Sequence, residues 1–228
     1  MHFHTRLVDP QGNNLFSQGA GLTELARKVI GGYLTLAASI TAFGNTVPTS
    51  FLRLVPHQEA PTAICWGDRN RSVLVRVPLG WQNIDDSMFR DANPIEPPIA
   101  DLPNDSQTVE LRSPDGSAAV HLLLAGIAVA ARIGLTEPGM EEYARERKVD
   151  GDASQTPGLD QLPPSCFEAA GRLLAQREDY EAKDVFPSGL IDSWASRLID
   201  LGDEHLRDDL ADSRVSVEEL VERYFHIG

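Results

Sequence analysis

The sequence predicts an α+β fold in which strands dominate residues 1–115 and helices dominate residues 116–228. Short runs rich in β-branched and aromatic residues, separated by proline-containing loops, follow one another between residues 49 and 78. From residue 117 onward, apolar residues recur at the three- and four-residue spacing of helices. Because the strand region precedes the helical region instead of alternating with it, the order favours α+β over a doubly wound parallel sheet.

The first half contains one predicted helix among its strands. Apolar residues at helical spacing predict a helix over residues 22–44. A strand is predicted over residues 107–112, and three others over residues 50–55, 62–66 and 72–77. A loop bracketed by Pro56 and Pro61 separates the first two of these three, and a proline-rich connection covers residues 93–103.

The second half is predicted to be helical apart from one long loop. Residues 117–134 have the apolar, alanine-rich composition of a buried helix, whereas residues 148–164 are rich in turn-forming residues. Further helices are predicted over residues 165–181, 188–201 and 217–225. The first and last of these follow the capping-box pattern, with Ser165 and Ser216 each followed three residues later by a glutamate.

Composition and charge exclude several classes of partner. The formal net charge is -14, and so acidic a surface repels phosphate backbones and anionic lipids. No nucleic acid and no membrane partner are therefore expected. The longest apolar stretch, residues 121–135, is too short to span a bilayer, and the first residues have no signal-peptide pattern. The 2 cysteines suit a reducing compartment, so a cytoplasmic location is expected.

The arginines of residues 53–76 are the first indication of an anion site. Arg53, Arg69, Arg71 and Arg76 stand in this stretch of an otherwise acidic protein. Arginines that converge repel one another unless an anion lies between them. An ordinary solvated face, or neutralisation of one arginine by Asp68, would explain the same pattern.

Two short motifs contain side chains that could bind a metal ion or a phosphate. His2 and His4 would point to the same side of a strand, where they could hold a cation or a phosphate, although such a pair is often incidental. Glu110 and Arg112 would likewise share one face of a strand. They could form a structural ion pair. Alternatively, Glu110 could supply an oxygen ligand to Mg²⁺ or Mn²⁺, and Arg112 could grip a carboxylate or phosphate.

Taken together, six motifs resemble the successive signatures of glutamine synthetase, in its order and approximate spacing. They lie at residues 1–4, 50–56, 59–61, 70–72, 76–78 and 109–115. The resemblance covers nearly the whole chain. It implies a catalytic-domain fold of mostly antiparallel strands packed with helices and a helical C-terminal tail. Residues 1–228 would form the C-terminal portion of that domain, and the family's amino-terminal β-grasp domain is expected to be absent from this chain.

The resemblance also implies roles for individual side chains. His2 and Glu110 look like ligands of a catalytic divalent metal, and the residues that look like ATP contacts are His4, Arg71 and Arg76.

The glutamate substrate has its own set of implied contacts. Arg53 and Arg112 are similar to the arginines that hold glutamate, and Arg112 also faces the transferred phosphate. Glu59 resembles the flap residue that closes over the intermediate and takes a proton from ammonium. The implied catalytic residues are Glu59, Arg71 and Arg112.

The implied activity is ATP-dependent ligation of ammonia to the γ-carboxylate of glutamate through γ-glutamyl phosphate, with ATP and Mg²⁺ or Mn²⁺ as cofactors. The implied partners are glutamate, ammonia and ATP, and either further copies in a homo-oligomer or a complementing N-terminal chain. His57 and Gln58 stand where Gly-Tyr is usual, so a γ-glutamyl-amine ligase is an alternative. The family's early strands, with most of its metal carboxylates, do not match this chain, so a non-catalytic scaffold is a third interpretation.

Overall fold

The structure is a computed structural model, and it describes residues 1–19, 21–54, 60–80, 87–95 and 106–225. Among these residues, the strands lie before residue 112 and helices occur throughout. The strands in chain order are β1 (Phe3–Thr5), β2 (Ser17–Gln18), β3 (Gly21–Leu22), β4 (Trp66–Asp68), β5 (Val75–Val77) and β6 (Val109–Leu111).

A four-stranded sheet in the order β1-β6-β5-β4 forms the centre of the first half. β6 pairs antiparallel with both β1 and β5, whereas β5 and β4 are parallel. β2 and β3 form a separate antiparallel pair. Strands from the beginning of the chain and from residue 109 onward are therefore neighbours, and the pairing is mostly antiparallel, as predicted.

The sheet has one apolar and one polar face because side chains alternate along each strand. Phe3, Leu111 and Val75 lie opposite one another in register, and Leu111 and Val75 belong to the hydrophobic core. The next residues along the strands project to the other face, where the functional side chains lie.

Most of the helices share one hydrophobic core with the apolar face of the sheet. In chain order the helices are α1 (Glu24–Thr35), α2 (Ala37–Gly44), α3 (Pro48–Leu52), α4 (Ser87–Ala92), α5 (Val120–Thr136), α6 (Met140–Glu146), α7 (Cys166–Ala175), α8 (Arg177–Glu181), α9 (Leu190–Ile199), α10 (Leu206–Ala211) and α11 (Val217–Tyr224).

The predicted helix over residues 22–44 is two helices, α1 and α2, joined at Leu36. Thr23 caps the start, since its hydroxyl accepts a hydrogen bond from the Ala26 N–H group. At the break, Leu36 is fully buried, and the Thr35 carbonyl accepts a hydrogen bond from the Gln176 side chain. The change of direction thus lets both helices bury their apolar sides.

α1 packs directly against α5. A Cβ atom added at Gly32 would lie 2.0 Å from the Ala130 carbonyl oxygen, so only glycine permits this approach of the two backbones. The contact fixes the helical layer on which the sheet rests.

The strand predicted over residues 50–55 is wrong, because residues 48–52 form helix α3. Pro48 lies in the first turn of α3, where its missing N–H group costs no hydrogen bond, and Val47 before it is extended. The strand predicted over residues 62–66 is confirmed only at its last residue, where β4 begins, and the strand predicted over residues 72–77 is confirmed in its second half, as β5.

Other sequence predictions have mixed outcomes. The strand over residues 107–112 and the helices over 117–134, 188–201 and 217–225 are confirmed as β6, α5, α9 and α11. The helix over 165–181 divides at Gln176 into α7 and α8, and α6 and α10 were not predicted. Residues 148–164 are loop apart from a short 3-10 helix, Ala153–Gln155. Most of the proline-rich connection lies outside the described residues.

Helix termini in the second half use the predicted serines. Ser216 and Glu219 form a complete capping box at α11. At α7, the Ser165 hydroxyl accepts the Glu168 N–H, and the carboxylate of Asp203 accepts the N–H groups of Cys166 and Phe167. These contacts satisfy backbone N–H groups at the starts of α7 and α11.

Cys65 and Cys166 are both free and buried, and burial raises the pKa of the Cys65 thiol to about 11. Across the described parts of the chain, no single helix is long and apolar enough to cross a membrane. α5 and α6 meet the length and composition test only as a pair bent by 106°.

Candidate functional site

A row of charged side chains crosses the polar face of the sheet. In the strand register His4 lies opposite Glu110, and Glu110 lies opposite Arg76. Neighbouring strands bring such cross-strand partners within side-chain contact. The register therefore joins residues that are far apart in sequence into one site.

Glu110 is the centre of this site. Its side chain is completely buried, at 0% exposure. Its Oε2 atom lies 2.7 Å from Arg76 Nε, and its Oε1 atom lies 2.6 Å from His2 Nδ1 and 3.7 Å from Arg112 Nε. Opposite charge around the carboxylate offsets the desolvation that burial imposes on it.

The oxygens of Glu110 retain unused acceptor capacity. Within the described ranges, neither Oε1 nor Oε2 receives a hydrogen bond with aligned geometry, although both are buried. An ionised carboxylate can accept several hydrogen bonds or bind a cation. The buried, incompletely satisfied carboxylate is therefore suited to be a ligand of a hard metal ion.

Arg112 is held rigidly beside Glu110. Its guanidinium donates to the carbonyl oxygens of Arg71 and Val73, the latter at 3.2 Å, and the whole residue is only 5% exposed. Its backbone N–H group donates to Leu74. A planar guanidinium fixed by carbonyl groups on one edge is oriented for recognition of a carboxylate or phosphate.

The two histidines approach Glu110 from the edge strand. Burial lowers the pKa of His2 below its ordinary value of 6.5, and this effect outweighs the attraction of Glu110. A neutral imidazole is the form that binds metals. His4 bonds through Nδ1 to the Thr108 hydroxyl at 3.0 Å, which leaves its Nε2 atom 3.9 Å from Glu110 Oε1.

Arg53 lies at the end of the same strand region. Its guanidinium donates to the Ser113 carbonyl, and its Nε atom lies 3.5 Å from an oxygen of Asp115. Ser113 directly follows Arg112, so Arg53 is tied to the segment that leaves β6. The motif at residues 109–115 drew attention to this segment, but nothing in it indicated that Ser113 and Asp115 would bind Arg53.

Three predicted site residues are not placed with this group. Arg53 contacts Ser113 and Asp115 instead. The side chain of Arg71 is exposed, and Arg71 meets Arg112 through its backbone carbonyl. Glu59 lies outside the described residues. The structure thus brings His2, His4, Arg76, Glu110 and Arg112 together. The individual roles of all these residues remain predictions.

A complete metal centre is not visible in the part of the chain that the structure describes. It holds no group of three or more His, Cys, Asp or Glu side chains arranged to bind one ion. A cavity of about 650 Å³ lies elsewhere, beside α1 and α6, and is bordered by Arg27, Trp66 and Met140 but by none of the predicted site residues. We place the site at Glu110 because the buried charges converge there.

Comparison with known proteins shows the family of this chain. The family model described as "Glutamine synthetase, catalytic domain" matches residues 1–197. The glutamine synthetase of Pyrococcus abyssi is 34% identical over 100% of this chain and 47% of its own length. That of Halobacterium salinarum is 30% identical over 96% of this chain and 42% of its own. The chain belongs to the glutamine synthetase family, and it spans about half the length of the curated relatives it matches.

Solved structures show the same fold. A Plasmodium falciparum glutamine synthetase superposes with a TM-score of 0.64 at 16% identity, over 96% of this chain and 46% of that one. A structure described as "GmaS/ADP complex-Conformation 1" superposes with a TM-score of 0.60 at 24% identity, over 97% and 44%. The α+β fold of catalytic-domain type is therefore confirmed.

Proposed function

We propose that this chain supplies part of a ligase site that joins ammonia to the γ-carboxylate of glutamate using ATP. The observation that carries the proposal is the buried Glu110 carboxylate with Arg76, Arg112 and His2 around it. Family membership supports the ligase class. Glutamate, ammonia and ATP as substrates, and γ-glutamyl phosphate as intermediate, are the finer parts of the proposal.

His2 and Glu110 would hold Mg²⁺ or Mn²⁺. The residues fit such an ion, because Glu110 has unused acceptor capacity and the lowered pKa of His2 keeps its imidazole neutral. When bound, a divalent ion neutralises the charge of the phosphates. Since hard cations take about six or more ligands, the remaining ligands would come from phosphate, water and residues beyond the described ranges or on another chain.

The arginines would position the reacting groups. A carboxylate must accept a phosphoryl group before an amine can displace it, and this transfer depends mainly on positioning and charge neutralisation. Arg112 and Arg53 would hold glutamate, while Arg76, Arg71 and His4 would contact ATP phosphates. Glu59 would accept a proton from ammonium in the closed site.

The rest of the site would come from other polypeptide. Because the chain covers about half of its relatives, we propose that it acts in the cytoplasm with further copies in a homo-oligomer or with a complementing N-terminal chain.

Manganese binding tests the metal part of this proposal. Electron paramagnetic resonance would follow Mn²⁺ titrated into the wild-type chain and into Glu110→Gln, which keeps the shape of the side chain but removes its charge. We expect binding by the wild type and at least a tenfold loss in the variant, equivalent to about 1.4 kcal/mol. Equal binding by both proteins would remove Glu110 from the metal site.

Turnover tests the substrates. ADP release would be measured with glutamate and ammonia, and then with glutamate and a panel of primary amines and polyamines. Because the chain would supply only part of the site, turnover with ammonia is expected when it is assembled with further copies or with the complementing chain. Turnover with an amine but not with ammonia would make the protein a γ-glutamyl-amine ligase instead.

A second candidate function is a non-catalytic scaffold. It is favoured by one observation, that the described ranges contain no metal-binding group of three or more side chains. Calorimetry of ATP binding with and without Mg²⁺ separates the two, since a scaffold predicts no heat. Magnesium-dependent heat would support the ligase.

A further inference from the structure

The buried amide of Asn45 shares a hydrogen-bond acceptor with Arg53, the residue that follows α3. Asn45, at the end of α2, has 0% exposure, and its Nδ2 atom donates to the Ser113 carbonyl at 3.0 Å. A carbonyl can only accept, so the amide nitrogen must face Ser113. In the part of the chain that the structure describes, the Oδ1 atom of Asn45 has no hydrogen-bond partner. A fully buried amide that is only half satisfied stabilises the fold poorly, which suggests that it serves another purpose.

The same carbonyl binds Arg53. The Ser113 carbonyl accepts both the Asn45 amide and the Arg53 guanidinium. One residue earlier in the chain, the Gly44 carbonyl accepts the Asp115 N–H group at 3.1 Å, and Asp115 in turn lies 3.5 Å from Arg53 Nε. Residues 44 and 45 thus fix residues 113 and 115, and these fix the guanidinium.

Among the described residues, the guanidinium of Arg53 contacts the Ser113 carbonyl and the Asp115 carboxylate. Arg53 follows the five-residue helix α3, and about a third of its side chain is exposed. A long side chain with that freedom loses several rotamers when it is held in one position. Both contacts depend on the end of α2, through Asn45 and Gly44.

We propose that Asn45 is a positioning residue, which orients Arg53 toward the substrate carboxylate through the Ser113 carbonyl. Ser113 follows Arg112 in the chain, so the relay also sets the position of Arg53 relative to Arg112. The proposal rests on the proposed function, since it assigns the carboxylate of glutamate as the ligand of Arg53.

The test compares Asn45→Ala with Thr41→Ala in the whole chain. Thr41 is 0% exposed and its hydroxyl donates to the Ala37 carbonyl at 2.9 Å, so its variant loosens the same helix α2 without touching Ser113 or Asp115. The first readout is the ¹⁵N-detected Nε–H resonance of Arg53, assigned by its loss in Arg53→Lys. A held guanidinium exchanges this proton slowly.

We expect the Arg53 resonance to broaden or exchange faster in Asn45→Ala and to remain unchanged in Thr41→Ala. An unchanged resonance in a folded Asn45→Ala protein would overturn the proposal. If that variant does not fold, Asn45→Leu replaces it, since leucine has nearly the same shape but neither the N–H donor that faces Ser113 nor the unsatisfied Oδ1 atom. An unchanged resonance in folded Asn45→Leu would overturn the proposal equally.

The second readout is the affinity for L-glutamate, measured by calorimetry. We expect a ~10-fold loss in Asn45→Ala, the usual consequence of losing the orientation of one charged hydrogen bond, and less than about twofold in Thr41→Ala. Equal losses of glutamate affinity in the two variants would show that Asn45 has only a structural role. Failure of the wild type to bind glutamate would contradict the proposed function, while the resonance of Arg53 would still decide whether Asn45 positions it.

Discussion

Two regions of this protein are equally buried but have opposite chemistry. Where α1 meets α5, backbone touches backbone at Gly32 and Ala130, and the surrounding side chains are apolar. On the polar face of the sheet, Glu110 is just as inaccessible, yet it is an acid among two arginines and two histidines. Apolar burial stabilises a fold, whereas the attraction between a buried charge and its partners is offset by the cost of desolvating them. The helical contact therefore serves stability, and the charged row is where ligand chemistry is expected.

The largest predicted effect tests the helical side of this comparison. Gly32→Ala would place a Cβ atom 2.0 Å from the Ala130 carbonyl oxygen. Both atoms belong to backbone or lie next to it, so a helix must shift. We expect a loss of about 3 kcal/mol or more in the free energy of unfolding, the upper range for overpacking, measured by urea denaturation.

Gly171→Ala is the matched control. Gly171 lies within α7, and a Cβ atom there would have no neighbour within 4 Å. Alanine is the better helix former, so this variant should gain about 0.5–1 kcal/mol. Similar effects in the two variants would show that helix propensity, and not the contact between α1 and α5, controls stability.

The second prediction concerns the charged row. Glu110→Gln removes the negative charge between Arg76 and Arg112, which are 22% and 6% exposed. Breaking a fully buried pair costs about 3–5 kcal/mol, and the partial exposure of Arg76 and His2 lowers our expectation to about 2 kcal/mol. Urea denaturation measures it. A gain in stability would mean that the carboxylate is strained by its surroundings even without a ligand.

Glu142→Gln provides the exposed counterpart. Glu142 pairs with Arg145, and both side chains are more than half exposed. Surface pairs contribute little because water screens them. No measurable change in stability is expected, so a loss comparable with that of Glu110→Gln would remove the distinction between the two acids.

Sequence alone predicted one half of the site better than the other. Alternation along a strand was enough to place Glu110 and Arg112 on one face, and His2 and His4 on another strand. It could not show that His4 and Arg76 flank Glu110, because strand register joins Glu110 to residues that are distant in the sequence.

The fold shows the same division between local and distant causes. Capping at Ser216 and Glu219 depends on residues three positions apart, and it was predicted correctly. The apolar residues 50–55 suggested a strand, but Pro48 at the start of α3 and the packing around it favour a helix. The break at Leu36 was likewise missed, since burial against distant residues decides it.

A second buried acid, Asp203, sharpens the comparison. The carboxylate of Asp203 is 5% exposed and accepts N–H groups of Cys166 and Phe167 at 2.8 and 3.0 Å. Unlike Glu110, it is satisfied by the backbone at a helix N-terminus. Asp203→Ala should therefore cost about 1–2 kcal/mol in stability, as the loss of a helix cap does, and leave Mn²⁺ binding unchanged. Loss of Mn²⁺ binding in a folded Asp203→Ala protein would contradict the separation of structural and functional acids.

The smallest predicted effect is the pH dependence that His2 contributes. Its pKa is lowered below 6.5 in the folded protein, chiefly by burial, with Arg112 and Arg76 opposing its protonation as well. The unfolded chain then binds a proton more readily than the folded chain, so the contribution of His2 to stability is complete above pH 6.5 and decreases as the pH falls from 6.5 toward the lowered pKa. Urea midpoints of the wild type and His2→Gln, compared between pH 8 and 5.5, should converge on acidification. If His2 instead titrates above 6.5 by NMR, attraction to Glu110 outweighs burial, and the site would carry a protonated histidine at neutral pH that must lose its proton before it can bind a metal.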